Sequence, residues 1–188
     1  IEDGENRVDN IVYYKSPNVA DAINIHVAFI PGETPAGDDG VADSTSMAVT
    51  YKTESLYLAF ANDDWANDET TTRLTGQFSA DAFGIGAMVQ QSAAANDDEE
   101  TAYVLSGYLK TSDKLKLKLQ HVTGKAQLAN GTDSNETTQS TLGADYKLGK
   151  KTTAVAFFSQ LEDNKFAAGA KTSSTENDIF GLGLIHKF

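Results

Sequence analysis

The chain has 188 residues, no cysteine, three prolines and fifteen glycines, and its 27 acidic against 15 basic residues give a formal net charge of −12. The absence of cysteine excludes a small disulfide-bonded scaffold, and the acidic balance argues against nucleic-acid binding, which requires clustered Lys and Arg. The longest apolar stretch, Ala82–Val89, is far shorter than the about 20 residues of a spanning helix, so a helical membrane protein is excluded. No signal peptide precedes Ile1, and we therefore expect the chain to be mature or cut.

Segments of alternating polarity recur along the whole chain. They predict eleven strands, at residues 7–15, 22–31, 45–53, 56–62, 69–78, 83–91, 101–110, 114–123, 139–148, 152–160 and 177–188. The predicted connections are short at residues 16–22, 53–55, 80–83, 111–113 and 149–151, and long at residues 31–43, 62–68, 92–100, 123–139 and 161–177. Outer-membrane barrels sort their connections in this way, with short periplasmic turns and longer extracellular loops. The pattern predicts an all-β fold, an antiparallel transmembrane up-and-down β-barrel.

The strand with the strongest alternation begins at Lys114. Lys114, Lys116 and Lys118 share one face, and leucines occupy the other. A lysine that faces lipid near the bilayer midplane costs about 2 to 4 kcal/mol, so three lysines cannot do so. We expect them to line an aqueous lumen; a soluble edge strand protected by lysines is the alternative.

Acidic residues concentrate in or beside the long predicted connections. One interpretation is an electrostatic mouth that concentrates cations and, through divalent ions, contacts anionic lipid head groups. The other is a set of solvated loops that keep the surface soluble. None of the acidic runs fits the calcium-loop pattern.

The last strand ends on an aromatic residue. Phe180, Leu182, Leu184, His186 and Phe188 share one face, while the other face carries small or polar residues, including Gly183. A terminal aromatic ring gains nothing at the frayed end of a soluble sheet, whereas a bilayer offers it an apolar environment. A buried edge strand of a soluble sandwich is the alternative.

Three stretches resemble the general porins of Gram-negative bacteria. Residues 6–17 resemble the strand that follows the inward-folded constriction loop of these proteins, residues 143–153 their penultimate hairpin, and residues 179–188 their closing strand. Gly183, His186 and Phe188 are similar to the C-terminal signal that the barrel-insertion machinery reads, although His186 stands where an aromatic residue is usual.

The resemblance implies a sixteen-stranded, homotrimeric channel for passive diffusion of small hydrophilic solutes and ions. If the first strand matches the sixth of the family, residues 1–188 form the C-terminal part of a single porin-type barrel, and a second chain or segment supplies the earlier strands. Arg7 then matches an arginine on the basic wall of the eyelet, unless it pairs with Asp9 or Glu5. Asp9 and Lys15 share that lumen face. The candidate pore-lining set is Arg7, Asp9, Lys15, Lys114, Lys116 and Lys118.

Catalysis finds no support in the sequence. The three histidines lie on separate strands without metal-ligand spacing, so we expect no enzyme activity, metal or cofactor. The expected partners are small solutes and ions, outer-membrane lipid and lipopolysaccharide, and the insertion machinery, for an integral protein of the cell outer membrane. A non-conducting structural or adhesive barrel that uses acidic extracellular loops is the alternative function.

Overall fold

The structure, a computed structural model, describes residues 10–32 and 42–188. Eleven antiparallel strands form one sheet in which each strand pairs with its neighbours in the chain. The strands are β1 (Val12–Lys15), β2 (Ile23–Ile30), β3 (Ser44–Lys52), β4 (Leu56–Asp64), β5 (Thr70–Ser79), β6 (Phe83–Ala93), β7 (Glu99–Lys110), β8 (Leu115–Gln127), β9 (Asp133–Lys147), β10 (Thr152–Ala167) and β11 (Ala170–His186). The predicted all-β, antiparallel up-and-down fold is confirmed. Within the described residues β1 and β11 do not pair, so the sheet is open.

One face of the sheet is apolar, and we call it the apolar face. The pairing register places Leu109, Leu117, Ala144, Ala156 and Leu182 in one row across β7 to β11. Large side chains on this face are exposed, with 75% of Leu182 accessible. Among the described residues only Ala28 and Ala102 are buried hydrophobic residues, so the sheet has no dry protein core. An apolar face of this size without a protein partner is what a lipid-facing surface requires.

The last four strands are longer than predicted. β8 to β11 have 13, 15, 16 and 17 residues, because most of the predicted long loops at 123–139 and 161–177 continue the sheet. Glu162, for example, pairs with Thr138 on one side and with Glu176 on the other. The prediction was wrong because the loss of apolar alternation was taken for the end of a strand. A strand that has left the bilayer has water on both faces and needs no such alternation.

The connections at that end of the sheet are short where the structure describes them fully: residues 65–69, 94–98, 128–132 and 168–169. The predicted sorting of connections by length is therefore wrong for these four. The fifth, at 31–43, lies partly outside the described residues. Ala168 and Gly169 both have positive φ, 51° and 78°, as in the two-residue type I′ turn that matches the twist of a hairpin.

The three five-residue connections share one geometry. In each, the first residue donates its backbone N–H to the fifth residue's carbonyl, at 2.8 to 2.9 Å. In each, the fourth residue has positive φ: Asp68, Asp97 and Gly131. The preceding asparagine accepts the fifth residue's N–H through its side-chain oxygen. The sequence Ala-Asn followed by Asp or Gly therefore encodes the same turn three times.

No helix among the described residues is long and apolar enough to cross a membrane.

Candidate functional site

The face opposite the apolar face is the candidate functional site, and we call it the polar face. One cavity of about 670 Å³ is lined by this face from β5 to β11, so the sheet curves around it. Polar side chains hydrogen-bond across neighbouring strands there. Arg73 donates through Nε and Nη2 to Oε1 of Gln90, at 2.9 and 2.6 Å. Ser159 accepts from Nε2 of Gln139 at 2.9 Å and lies 2.8 Å from the hydroxyl of Thr141.

Lys116 and Lys118 lie on the polar face, as the alternation predicts. The Lys118 ammonium is 2.7 Å from Oδ1 of Asp145, and the Lys116 ammonium lies 5.0 Å from the centroid of the Tyr108 ring. Lys114 lies in the connection before β8 and lines a second cavity, of about 770 Å³, together with Lys116. The structure therefore brings these three lysines together.

The other candidate lumen residues do not join this group. Lys15 is the last residue of β1 and pairs with His26, so it is seven strands away from β8. It lies beside a separate cavity of about 330 Å³. Arg7 and Asp9 fall outside the described residues, and their role stays a prediction.

The C-terminal residues lie at the edge of the described sheet. Gly183 pairs with Val155, and a Cβ at position 183 would meet that side chain at 3.1 Å. His186 ends β11, where Nδ1 lies 2.9 Å from the Thr152 hydroxyl and the imidazole packs edge-on against Phe188 at 5.1 Å. The structure thus places an exposed pair of rings, His186 and Phe188, at the end of β11, and Gly183 in close contact with β10; their role as an assembly signal stays a prediction.

Charge is separated along the strands. The basic end comprises residues 15–22, 52–55, 79–83, 110–118, 145–152 and 186–188, with ten basic and five acidic side chains and a formal charge of +5. The acidic end comprises residues 62–70, 92–101, 124–139 and 161–178, with 14 acidic and three basic side chains and a formal charge of −11. The acidic residues that the sequence places in long loops therefore lie on strand ends and in tight turns.

Two carboxylates at the acidic end have lowered pKa values. A hydrogen bond from Lys125, whose ammonium is 2.9 Å from Asp133, is the main cause for Asp133, and Gln127 adds another. A hydrogen bond from Asn164 is the main cause for Glu162, with Lys171 contributing at 3.5 Å. The ionised forms of Asp133 and Glu162 are thus favoured by their hydrogen-bond partners and by the nearby lysines.

Sequence reasoning missed several polar-face residues. Arg73, Tyr108 and Phe157 were not singled out, although each follows the period-two alternation of its strand. The alternation gives the face of a side chain but not its partner on the next strand. Arg73 meets Gln90 only through the register of β5 on β6, which no local pattern fixes.

A profile of Gram-negative porins matches residues 2–183. The chain belongs to the Gram-negative porin family. This family consists of outer-membrane channels and not of enzymes, so the predicted family, location and non-enzymatic class are confirmed.

Solved porin structures share the fold at low sequence identity. In vitro folded OmpT, an outer-membrane protein of Vibrio cholerae, superposes with a TM-score of 0.68 at 17% identity, over 95% of this chain and 64% of that one. OmpT expressed in the outer membrane superposes with a TM-score of 0.67 at 16% identity, over 95% of this chain and 65% of that one. The outer-membrane channel DcaP of Acinetobacter baumannii superposes with a TM-score of 0.75 at 12% identity, over 95% of this chain and 62% of that one. The chain thus spans just under two thirds of the length of these proteins. No curated protein sequence matches it.

Proposed function

We propose that the complete protein is a channel for passive diffusion of small hydrophilic solutes and ions, and that residues 1–188 are the C-terminal part of its single porin-type barrel. The observation that carries this proposal is the division of the sheet into an apolar face and a hydrogen-bonded polar face that curves around a cavity. A bilayer solvates the first and water solvates the second, which is the arrangement of a barrel with an aqueous lumen.

The partial barrel is supported by two independent facts. The described sheet is open, and the solved relatives are about half as long again as this chain. A barrel must close, because every exposed strand edge in lipid leaves backbone groups unpaired. In the proposed assembly further strands pair with the free edges of β1 and β11, and three copies associate as in the family that the sequence resembles.

The lumen wall of this channel includes the candidate residues Arg7, Asp9, Lys15, Lys114, Lys116 and Lys118. The last three form a basic region near the basic end, where a permeating anion is attracted and a cation is repelled. Gly183, His186 and Phe188 serve as the signal for insertion into the outer membrane.

The test is conductance of the complete protein in planar bilayers. Stepwise increases in current on insertion are expected, and their absence in protein shown to be folded supports the non-conducting structural or adhesive barrel instead. In a potassium chloride gradient, Lys116→Glu is expected to move the reversal potential toward cation selectivity. Lys171→Glu, which reverses the same charge on β11 at the acidic end, is the matched control and is expected to have a smaller effect.

A further inference from the structure

Four lysines of the basic end line the second cavity, of about 770 Å³, and we call them the lysine cluster. Lys110 ends β7, Lys114 and Lys116 lie on either side of the first residue of β8, and Lys147 ends β9. Because β7, β8 and β9 are neighbours in the sheet, the four side chains belong to one small area of the polar face.

The pairing register places these lysines in two directly opposed pairs. Lys110 is the partner of Lys116 across β7 and β8. Lys147 donates its backbone N–H to the Lys114 carbonyl at 2.9 Å, which extends the register of β8 on β9 by one residue. Like charges at directly opposed positions of an antiparallel sheet are destabilising, because the Cα atoms are only about 4.5 to 5.5 Å apart. Each pair therefore gains stability when an anion lies between its ammonium groups.

The carboxylates near the cluster do not supply this anion. None of the three ion pairs in the described part of the chain involves the lysine cluster. Asp145, which lines the cavity, is already paired with Lys118 at 2.7 Å. Asp81 and Asp113 line the cavity from the neighbouring turns and take part in none of these ion pairs. With Lys118 included, five lysines and three aspartates give the site a formal charge of +2, which one dianion balances.

A phosphoryl group carries such a charge in compact form. A phosphate monoester has nearly two negative charges on three oxygens of one group at neutral pH, whereas a carboxylate has one. Two ammonium groups can therefore contact one phosphoryl group at the same time, and lysine commonly binds phosphate as a point charge. The Ser112 hydroxyl also lines the cavity, and because it accepts the backbone N–H groups of Lys114 and Leu115, its own O–H is left to donate.

We propose that the lysine cluster binds the phosphoryl group of inorganic phosphate and of small phosphate monoesters in the lumen. Lys114 and Lys147 are opposed, and Lys110 is the diagonal neighbour of Lys114 across β7 and β8, a separation that long side chains span. These three ammonium groups hold the ligand. The Lys116 ammonium, 5.0 Å from the centroid of the Tyr108 ring, borders the site. The proposal deepens the channel function and rests on it, because it names the class of solute that is retained at the basic end.

The test is direct binding to the complete protein, folded in an uncharged detergent at low salt and about pH 8, by calorimetry or phosphorus NMR. Methyl phosphate is then a dianion, since the second pKa of a phosphate monoester is about 6, whereas dimethyl phosphate is a monoanion with the same central group. Methyl phosphate is expected to bind at least about fivefold more tightly, because a second charge about 4 Å from an ammonium in water is worth about that factor.

Two further probes separate the sources of the charge. Succinate carries two negative charges on separate carboxylates and is expected to bind more weakly than methyl phosphate. Dimethyl phosphate represents the phosphodiester of a lipid head group. Succinate or dimethyl phosphate binding as tightly as methyl phosphate overturns the proposal, and so does the absence of binding because another part of the barrel fills the cavity.

Matched variants locate the site. Lys147→Gln is expected to weaken methyl phosphate binding about fivefold, whereas Lys150→Gln, in the next turn and outside the cavity lining, leaves it unchanged. Lys110→Gln is expected to act like Lys147→Gln, and Lys52→Gln, at the same end of β3, is its control. Without phosphate, Lys147→Gln should not lower the stability of the fold, since it removes a like-charge pair. Equal effects of Lys147→Gln and Lys150→Gln on binding overturn the assignment.

The two proposals fail separately. Channels that conduct normally but bind methyl phosphate no better than dimethyl phosphate refute the phosphoryl site and leave the channel intact. Selective binding of methyl phosphate by a folded protein that shows no conductance refutes the channel and leaves the ligand class of the site intact. The comparison of ligands on the unaltered protein does not depend on whether any variant folds.

Discussion

A single lysine placed on either face of β8 tests which face meets lipid. Leu119 lies on the apolar face, 48% exposed, and Gln120 follows it on the polar face. Leu119 is four residues beyond Leu115, where β8 begins. With a rise of about 3.4 Å per residue and a tilt of about 40°, it lies about 10 Å above that end, near the middle of an apolar band about 25 Å tall. Leu119→Lys is therefore expected to cost about 2 to 4 kcal/mol, and Gln120→Lys close to nothing.

The assay is reversible folding of the complete protein into phospholipid vesicles in guanidinium chloride, followed by the gel mobility of the folded form. The expected cost lowers the ratio of folded to unfolded protein by roughly 30- to 900-fold for Leu119→Lys. The two substitutions introduce the same side chain at adjacent positions, so local strand propensity cancels. If both variants lost the same stability, or if Gln120→Lys lost more, the assignment of the faces would be refuted.

Three further predictions concern turns, close packing and charge. Gly131→Ala is expected to cost about 1 kcal/mol in the same assay because its φ is 78°, whereas Gly149→Ala, with equally open space and no positive φ, should be neutral. Gly84→Ala is expected to cost about 1 to 3 kcal/mol because the new methyl group displaces the Tyr108 ring. In a Tyr108→Ala background the same substitution should cost nothing, so additive effects of the two substitutions on stability would contradict the contact between Gly84 and Tyr108. The pKa of Asp133, followed by carboxyl NMR, should lie below 3.8 and should rise in the Lys125→Gln variant. Because folding lowers this pKa, the contribution of Asp133 to stability is present above pH 3.8 and is lost as the pH falls further. An unchanged pKa in the variant would exclude the ion pair as the cause.

The sequence determines the number and order of the strands well because lipid imposes a strict requirement on every second residue. The alternation of lysine and leucine from Lys114 onward defines both faces of β8 without any knowledge of its neighbours. That requirement ends where the strand leaves the bilayer. Most of residues 161–177 continue as paired strands that are held by backbone hydrogen bonds. Their side chains include many Thr and Ser, which are also common in loops, so the sequence does not distinguish the two.

The three five-residue turns could have been predicted from a repeated sequence motif. Ala-Asn-Asp at 66–68 and 95–97 and Ala-Asn-Gly at 129–131 repeat a residue pattern whose asparagine and positive-φ position define one turn. The repeat shows that the connections there are short. The Ala168–Gly169 turn lacks the usual Asn-Gly or Asp-Gly pair, and only the register of β10 on β11 reveals it.

The candidate site could be predicted less completely. Its lysines follow from alternation, but the packing of its aromatic rings depends on which residues face each other across strands. Tyr108 meets Gly84 and Phe157 meets Gly181 through pairings of residues 24 apart in the chain. An aromatic residue and a distant glycine carry no joint signal in a single sequence, because either residue alone is ordinary in a strand.

The separation of charge along the strands gives the two ends of the proposed channel different roles. β8 alone, with 13 residues, spans about 30 Å along the barrel axis at the usual rise and tilt, which is several times the Debye length of about 8 Å at physiological salt. The acidic end, at −11, and the basic end, at +5, therefore act on a solute one after the other and do not cancel. Because the acidic residues lie on paired strands and tight turns, their positions are fixed by the sheet. An anion is repelled at the acidic end and attracted at the basic end, so entry from the basic end is favoured for anionic solutes.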